Sequence, residues 1–183
     1  MSQSSNAPQG SRKVAILVTD GFEQVELTGP RDALRAAGIE TRIVAPQAGT
    51  VQGFNHDEKA DALPVDQTLK DARPDDFDAL LLPGGVINAD ALRVDESAQA
   101  FAKAIAQADK PLAVICHGAW LLIDAGLVKG KTLTSWPSLA TDLRNAGAQW
   151  VDEPVHVEGS WVSSRKPDDL PGFQKALVDK VKA

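Results

Sequence analysis

Residues 111–122, PLAVICHGAWLL, contain the strongest structural signal of the chain. Its uninterrupted apolar start is typical of a strand buried on both faces of a parallel sheet. The strand ends at Cys116, the only cysteine of the chain, and His117 and Gly118 follow before a helical segment begins. A side chain at such a turn projects above the carboxyl edge of the sheet, where open α/β sheets bind ligands. The stretch therefore predicts a nucleophile elbow with cysteine as the nucleophile.

Strands and helices are predicted to alternate along the rest of the chain. The predicted strands span residues 13–19, 39–46, 78–85, 111–115 and 131–135, and the predicted helices span 20–38, 95–109, 118–125, 138–146 and 169–183. A hairpin or loop is expected over 47–66 and paired strands over 149–165. Pro30 should kink or restart the first helix because proline lacks a backbone N–H. The alternation predicts right-handed βαβ units and a mainly parallel sheet with helices on both faces.

Length, charge and cysteine content narrow the class of protein. The chain has 183 residues, which suits a single domain over 13–183 behind a disordered polar tail over 1–12. Its net charge is -6, with no basic cluster, so no nucleic-acid partner is expected. Its apolar stretches are far too short to span a bilayer, so no membrane span is expected either. The single cysteine favours a cytoplasmic protein with a reduced thiol. The sequence has neither the Cys/His spacing of a metal site nor a phosphate-binding loop, so no metal and no cofactor is expected.

Two backbone N–H groups are expected to face the thiol. LLPGG, residues 81–85, ends a neighbouring parallel strand, and the N–H of Gly85 with that of His117 would form an oxyanion hole. The N-terminus of the following helix should also favour the thiolate of Cys116. The alternatives are a plain glycine turn and, for Cys116, a small buried hydrophobic residue.

Two acidic residues, Glu23 and Glu26, follow the first strand and should also stand at the carboxyl edge of the sheet. A carboxyl group held near Cys116 in partly apolar surroundings can stay protonated and hydrogen-bond the thiolate or shuttle a proton. The alternative is two solvated acids in the first turn of a helix, where the helix dipole favours them. The spacing alone favours that alternative.

Several stretches together resemble the ThiJ/PfpI superfamily, most closely its branch of intracellular protease PfpI and general stress proteins. They are DGFEQVEL (20–27), DALLLPGG (78–85), KPLAVICHGAWLLIDAGLVKGKTLTSWPS (110–138), NAGAQWVDE (145–153) and WVSSRKPDDLPGF (161–173). The resemblance implies a flavodoxin-like three-layer α/β sandwich of the class I glutamine amidotransferase-like type. It also implies a homodimer or a higher homo-oligomer.

The same resemblance implies roles for individual residues. Cys116 matches the family nucleophile, Glu26 the glutamate that hydrogen-bonds the thiol, and Glu23 a second acidic position near the pocket. His117 matches a histidine that an acid from a neighbouring subunit orients, and Asp90 is the best match for that acid. Adjacent side chains on an elbow are expected to diverge, so a Cys116–His117 dyad would be strained, which argues against thiol-protease chemistry.

The implied activities are peptide hydrolysis, glutathione-independent glyoxalase or deglycase chemistry on methylglyoxal and its adducts, and protection against oxidative stress. In the aldehyde reaction, the thiolate of Cys116 adds to the carbonyl. Glu26 or His117 then moves a proton between adjacent carbons, and water releases a hydroxy acid. The alternative is a non-enzymatic sensor in which Cys116 is oxidised to a sulfinate beside Glu26.

Other chemistry-bearing residues have weaker patterns. His156-x-Glu158 imitates the partner motif of a glutaminase, but an exposed strand beside a turn is the favoured interpretation. His56 is predicted to lie in a solvated hairpin. The four tryptophans are dispersed, which is typical of core or interface residues, with Trp136 a candidate for the pocket wall.

Overall fold

A computed structural model describes residues 10–183. Most of the tail predicted over 1–12 therefore lies outside the described residues. Ser11 and Arg12, at the end of that tail, already hydrogen-bond to the fold: Ser11 Oγ donates to Gly38 O at 3.0 Å, and Glu40 N donates to Arg12 O at 2.8 Å. The division into a tail and a domain starting at residue 13 stays a prediction.

A seven-stranded sheet forms the centre of the structure. In spatial order its strands are β11 (Val155–Glu158), β12 (Trp161–Ser164), β8 (Leu112–Ile115), β7 (Ala79–Leu82), β1 (Lys13–Leu17), β3 (Glu40–Ala45) and β6 (Gln67–Thr68). All neighbours run parallel except β11 and β12, which are antiparallel. Parallel neighbours place the carboxyl ends of β1, β7 and β8 at one edge of the sheet.

Helices cover both faces of this sheet. One face carries α1 (Gln24–Ala36) and α6 (Leu170–Lys182), and the other carries α2 (Val86–Arg93), α3 (Glu96–Gln107), α4 (Ala119–Asp124) and α5 (Ala140–Asn145). Successive side chains of β1 pack on alternate faces of the sheet, since Ile16 packs on the α1–α6 side and Leu17 on the other. The predicted three-layer α/β fold is confirmed. No helix of the described chain is both long and apolar enough to cross a bilayer.

Two smaller sheets lie beside the central one. The first joins β2 (Phe22–Glu23), β4 (Thr50–Asn55) and β5 (Glu58–Pro64), so the hairpin predicted within 47–66 is confirmed. The second pairs β9 (Thr132–Leu133) with β10 (Gln149–Trp150). The strand predicted over 131–135 is thus shorter than expected and pairs outside the central sheet. Single 3₁₀ turns cover Pro74–Asp76, Cys116–Gly118, Pro137–Leu139 and Pro167–Asp169.

The structure differs from the sequence-based expectation in two helices. Helix α1 runs unbroken through Pro30, so it does not restart there. The proline removes a single backbone hydrogen bond, and its own burial within a helix packed against α6 supports the continuous helix. Helix α2 was not predicted, because this eight-residue segment starts directly from the glycine turn after β7 and buries only Asn88, Ala89 and Leu92.

Candidate active site

Cys116 stands at a tight turn between β8 and α4. Its φ of +61° lies in the left-handed region that residues other than glycine rarely adopt. Such strain costs about 1 kcal/mol or more and clusters at functional sites. Gly118 permits the turn, since a Cβ there would lie 2.8 Å from Leu82 O and 3.0 Å from Pro83 O. The strand-to-helix turn expected from the sequence is present.

Gly84 leaves room for the Cys116 thiol and the Glu26 carboxyl group to lie against each other. A Cβ on Gly84 would lie 2.6 Å from Cys116 Cβ and 3.1 Å from Sγ, and it would also collide with Glu26 Oε2. The N–H of Gly84 donates to Glu26 Oε2 at 2.8 Å. The fold therefore brings the thiol from the end of β8 and the carboxyl group from α1 against the same glycine, where the two side chains hydrogen-bond each other.

Glu26 is completely buried, so the interpretation of this residue as a solvated acid is wrong. Burial raises the pKa of its carboxyl group from the ordinary 4.5 to about 8, although the N–H of Gly84 acts in the opposite direction. Oε1 is buried and has no hydrogen-bond partner within residues 10–183, which leaves it free to carry the proton. At neutral pH the carboxyl group of Glu26 is therefore mostly uncharged.

This buried acid makes stability depend on pH. An unfolded chain ionises the carboxyl group above about pH 4.5, whereas the folded chain keeps the proton until about pH 8. Between those values the free energy of unfolding of the wild type should fall relative to Glu26→Gln by about 1.4 kcal/mol per pH unit. The glutamine is neutral at every pH and its amide oxygen can still accept from Gly84 N.

Urea unfolding of both proteins between about pH 5 and pH 7 measures this difference. Glu96→Gln, at an exposed position on α3, is the matched control and should show no such slope against the wild type. If the free energies of unfolding of the wild type and Glu26→Gln change in parallel with pH, Glu26 is ionised in the folded protein.

Burial also raises the pKa of the Cys116 thiol above its ordinary value, and the charge that Glu26 acquires above about pH 8 adds to this effect. The backbone N–H groups of Gly85 and His117 hydrogen-bond the thiol and act in the opposite direction. The N–H of His117, at the turn into α4, favours the thiolate as the sequence predicts, but the desolvation of the thiol is the larger effect and the net pKa shift is upward. The two N–H groups expected as oxyanion donors do lie beside Sγ.

His117 contacts the thiol directly, so the expectation that the two side chains diverge is wrong. Its Nδ1 lies 3.2 Å from Cys116 Sγ, because the left-handed conformation of Cys116 turns the thiol toward the next residue. Burial lowers the pKa of the His117 imidazole, which keeps the ring neutral at neutral pH. A neutral ring that carries its proton on Nε2 can accept the thiol proton on Nδ1.

The thiol opens into a cavity of about 510 Å³, a volume typical of sites for small organic ligands. Cys116, His117 and Glu26 all line this cavity. Its remaining lining residues are Gly21, Glu23, Phe54, His56, Asp57, Gly85, Val86, Ile87, Trp136 and Pro167. The side walls are therefore largely apolar, and the candidate Trp136 lies in them.

Glu23 holds one wall of this cavity. Its carboxylate accepts the backbone N–H of His56 at 3.1 Å, which ties β2 to the tip of the β4–β5 hairpin. His56 and Asp57 consequently line the cavity, although both are exposed. The prediction of His56 in a solvated hairpin is confirmed. Its position at the cavity had no sequence signal, since the two-residue strand β2 has no pattern that reveals its pairing with β4.

Asn88, which sequence reasoning missed, holds the glycine turn beside the thiol. It is completely buried on α2; its Oδ1 accepts from Thr19 N at 2.8 Å, and its Nδ2 donates to Pro83 O at 3.3 Å and to Gly84 O at 3.0 Å. The side chain thus joins the end of β1 to the turn after β7. A lone asparagine in a segment without apolar periodicity provides no signal for such a role.

Asp90 does not lie near its own His117. It is exposed on α2 and does not line the cavity. Its contact with His117 of a second subunit stays a prediction.

The glutaminase-like pair also lies away from the thiol. His156 Nδ1 bonds Glu153 Oε2 at 2.8 Å, Glu158 accepts the N–H of Thr132 at 3.1 Å, and neither His156 nor Glu158 lines the cavity. Within residues 10–183, no group of three or more His, Cys, Asp or Glu side chains is arranged to hold a metal ion.

Comparison with known proteins matches this site to a family. The model of the DJ-1/PfpI family matches residues 12–180, which include the elbow, the glycine turn and both acidic positions. The chain belongs to the DJ-1/PfpI family. The resemblance inferred from the sequence motifs is confirmed.

Relatives within the DJ-1/PfpI family carry different names. A Bacillus subtilis protein named "Putative cysteine protease YraA" is 42% identical over 172 residues, covering 94% of this chain and 99% of that one. A Thermococcus kodakarensis protein named a deglycase is 40% identical over 166 residues, covering 91% and 97%. Among solved structures, a two-domain Anabaena variabilis protein with DJ-1/ThiJ/PfpI-like and ferritin-like domains matches with a TM-score of 0.88 and 30% identity, covering 94% of this chain and 48% of that one.

Proposed function

We propose that this DJ-1/PfpI protein is a cysteine-dependent enzyme that converts small reactive aldehydes with an adjacent carbonyl group, such as methylglyoxal, into hydroxy acids without glutathione. The observation that carries the proposal is the contact of 3.2 Å between the buried Cys116 thiol and Nδ1 of a neutral His117. The name of the Thermococcus relative supports the same class of chemistry.

The first step is addition of the thiol to the aldehyde. Sγ bonds to the aldehyde carbon while His117 Nδ1 takes the thiol proton and passes it to the carbonyl oxygen, giving a neutral hemithioacetal. The N–H groups of Gly85 and His117, which hydrogen-bond the thiol, stabilise the oxygen as it becomes negative. An uncharged Glu26 does not repel that charge.

The second step moves a proton between the two carbons. His117, neutral again, takes the hydrogen from the carbon bonded to sulfur as a proton, and the electron pair left behind forms an enediolate with the neighbouring carbonyl. His117 then returns this proton to the second carbon, the hydroxyl proton of the first carbon passes to the oxygen of the second, and a thioester of the hydroxy acid results. Water then breaks the bond between carbon and Sγ, which restores the thiol and releases lactic acid from methylglyoxal, so that one water is consumed for each aldehyde.

Peptide hydrolysis is the second candidate. The close contact of Cys116 with His117 favours it, since the same pair can activate the thiol and protonate a leaving amine. The name of the Bacillus relative supports it as well. A role as an oxidative-stress sensor draws less support, because the raised pKa of the Cys116 thiol disfavours the thiolate that peroxide oxidises.

Lactate formation from methylglyoxal by the freshly reduced protein, without glutathione, tests the proposal. We expect one lactate for each methylglyoxal consumed. Cleavage of a fluorogenic peptide without lactate formation would instead support the peptidase. Neither activity, with conversion of Cys116 to a stable sulfinate under mild peroxide, would support the sensor.

We also propose that the chain self-associates in the cytoplasm, as the sequence predicts. Helix α2 supports self-association because it exposes apolar side chains beside the cavity, with Val86 exposed by 52% and Ile87 by 60%. Sedimentation of the purified protein measures its oligomeric state.

A further inference from the structure

Within residues 10–183, no polar group other than the Cys116 thiol hydrogen-bonds the His117 ring, so Nε2 has no partner there. Nδ1 contacts Cys116 Sγ at 3.2 Å, and this is the one hydrogen bond of the imidazole in the described chain. In enzymes with a nucleophile and a base, a third group ordinarily orients the base through its second nitrogen. Orientation matters because a half-turn about the Cβ–Cγ bond would place a ring carbon, instead of Nδ1, against the thiol.

Two indole rings pack against the imidazole. The ring of Trp136 stacks on it, with centroids 5.7 Å apart and planes inclined by 26°. The ring of Trp120 makes an edge contact, with centroids 5.2 Å apart and planes inclined by 69°. Both arrangements are among those that aromatic pairs prefer. They restrict the imidazole on two sides without any hydrogen bond.

Trp120 is itself held by groups from two other helices. Its Nε1 donates to Asp142 Oδ2 on α5 at 3.1 Å, and the guanidinium group of Arg93 on α2 lies 5.0 Å from its ring centroid. Arg93 in turn pairs with Asp124 at 2.8 Å. A side chain fixed in this way can fix its neighbour, whereas a freely rotating one cannot.

We propose that Trp120 is a positioning residue that holds the His117 imidazole with Nδ1 toward Cys116 Sγ, the task that a carboxylate performs in other dyads. This inference rests on the proposed action of His117 as the base for Cys116. Trp120 does not line the cavity, whereas Trp136 does. Loss of the Trp120 ring should therefore change the reactivity of the thiol and leave the binding of substrate unchanged.

The test is the rate at which iodoacetamide alkylates Cys116 in the full chain at neutral pH, followed by mass spectrometry. Trp120→Leu should slow alkylation by about tenfold, and it should lower kcat for methylglyoxal similarly with little change in KM. Trp120→Phe keeps an aromatic ring at this position and should restore most of the rate. His117→Ala defines the rate without the base.

Trp150 offers a matched control. Its Nε1 donates to Ser135 Oγ at 3.0 Å, and Arg144 lies 5.4 Å from its ring centroid, so its surroundings resemble those of Trp120 without contact to His117. Trp150→Leu should lower stability to a similar extent and leave the alkylation rate unchanged.

Normal alkylation of Trp120→Leu, or equal slowing in Trp150→Leu, would overturn the proposal. If Asp90→Asn is alkylated slowly and Trp120→Leu at the normal rate, Asp90 of a second subunit orients His117. That result would also overturn the proposal. Alkylation requires no aldehyde turnover. A wild type that forms no lactate would therefore refute the proposed function while this measurement still decides the role of Trp120.

Discussion

Replacement of Cys116 by alanine is expected to abolish lactate formation from methylglyoxal, with a loss of at least about 1,000-fold in kcat. The thiol is the only group in the site that can form the covalent hemithioacetal, and neither the neutral His117 nor the neutral Glu26 can substitute for it. The N–H groups of Gly85 and His117 would remain, so weak binding of the aldehyde is expected to persist.

The measurement is lactate production by the variant and by the reduced wild type at equal concentrations. Cys116→Ala should keep the fold, because alanine only removes the sulfur and retains the left-handed backbone at this position. Its free energy of unfolding should therefore change by no more than about 1 kcal/mol. A folded Cys116→Ala variant that still forms lactate at the wild-type rate would exclude the covalent mechanism.

Gly84→Ala is expected to disrupt the site although the change is a single methyl group. The new Cβ would stand 2.6 Å from Cys116 Cβ and would collide with Glu26 Oε2, so the thiol, the carboxyl group or the turn must move. Overpacking of this kind costs about 1–3 kcal/mol of stability. A displacement near 1 Å at the reacting thiol should also lower kcat by about 100-fold.

Urea unfolding and the lactate assay measure these two losses. Gly29→Ala is the matched control, because its Cβ would meet only the flexible amide end of Gln174 closely and its helical position favours alanine. The control should be as stable as the wild type and fully active. Normal kcat in Gly84→Ala would show that the spacing between Cys116 and Glu26 is not critical for the reaction.

Much of the fold could be predicted because continuous apolar runs and turn residues are local signals. The runs before Thr19 and Cys116 predict buried parallel strands, and Asp95 caps α3 as its sequence position suggests, accepting from Ala98 N at 2.9 Å. Helix α2 and the two-residue strand β2 were missed, because their structure depends on contacts with distant segments rather than on their own periodicity.

The candidate site was predicted in part for the same reason. The motif around Cys116 lies within one local stretch, so its position at a strand-to-helix turn was readable. The protonation of Glu26 was not, since it follows from complete burial against Gly84, 58 positions away. His56 is an exposed hairpin residue as the sequence predicts, but its place in the cavity was not readable, because the hairpin is tied to the site by the carboxylate of Glu23, 33 positions away.

Hydrophobic periodicity and glycine positions act over short stretches of chain, so the amino-acid sequence alone predicts the three-layer α/β fold and the thiol at the elbow. Long-range packing sets the neutral state of Glu26, the contact of His117 Nδ1 with Sγ, and the enclosure of the imidazole by Trp120 and Trp136. Burial and electrostatic environment are properties of the packed molecule. They depend on which distant segments exclude water from a side chain, and no local pattern specifies that.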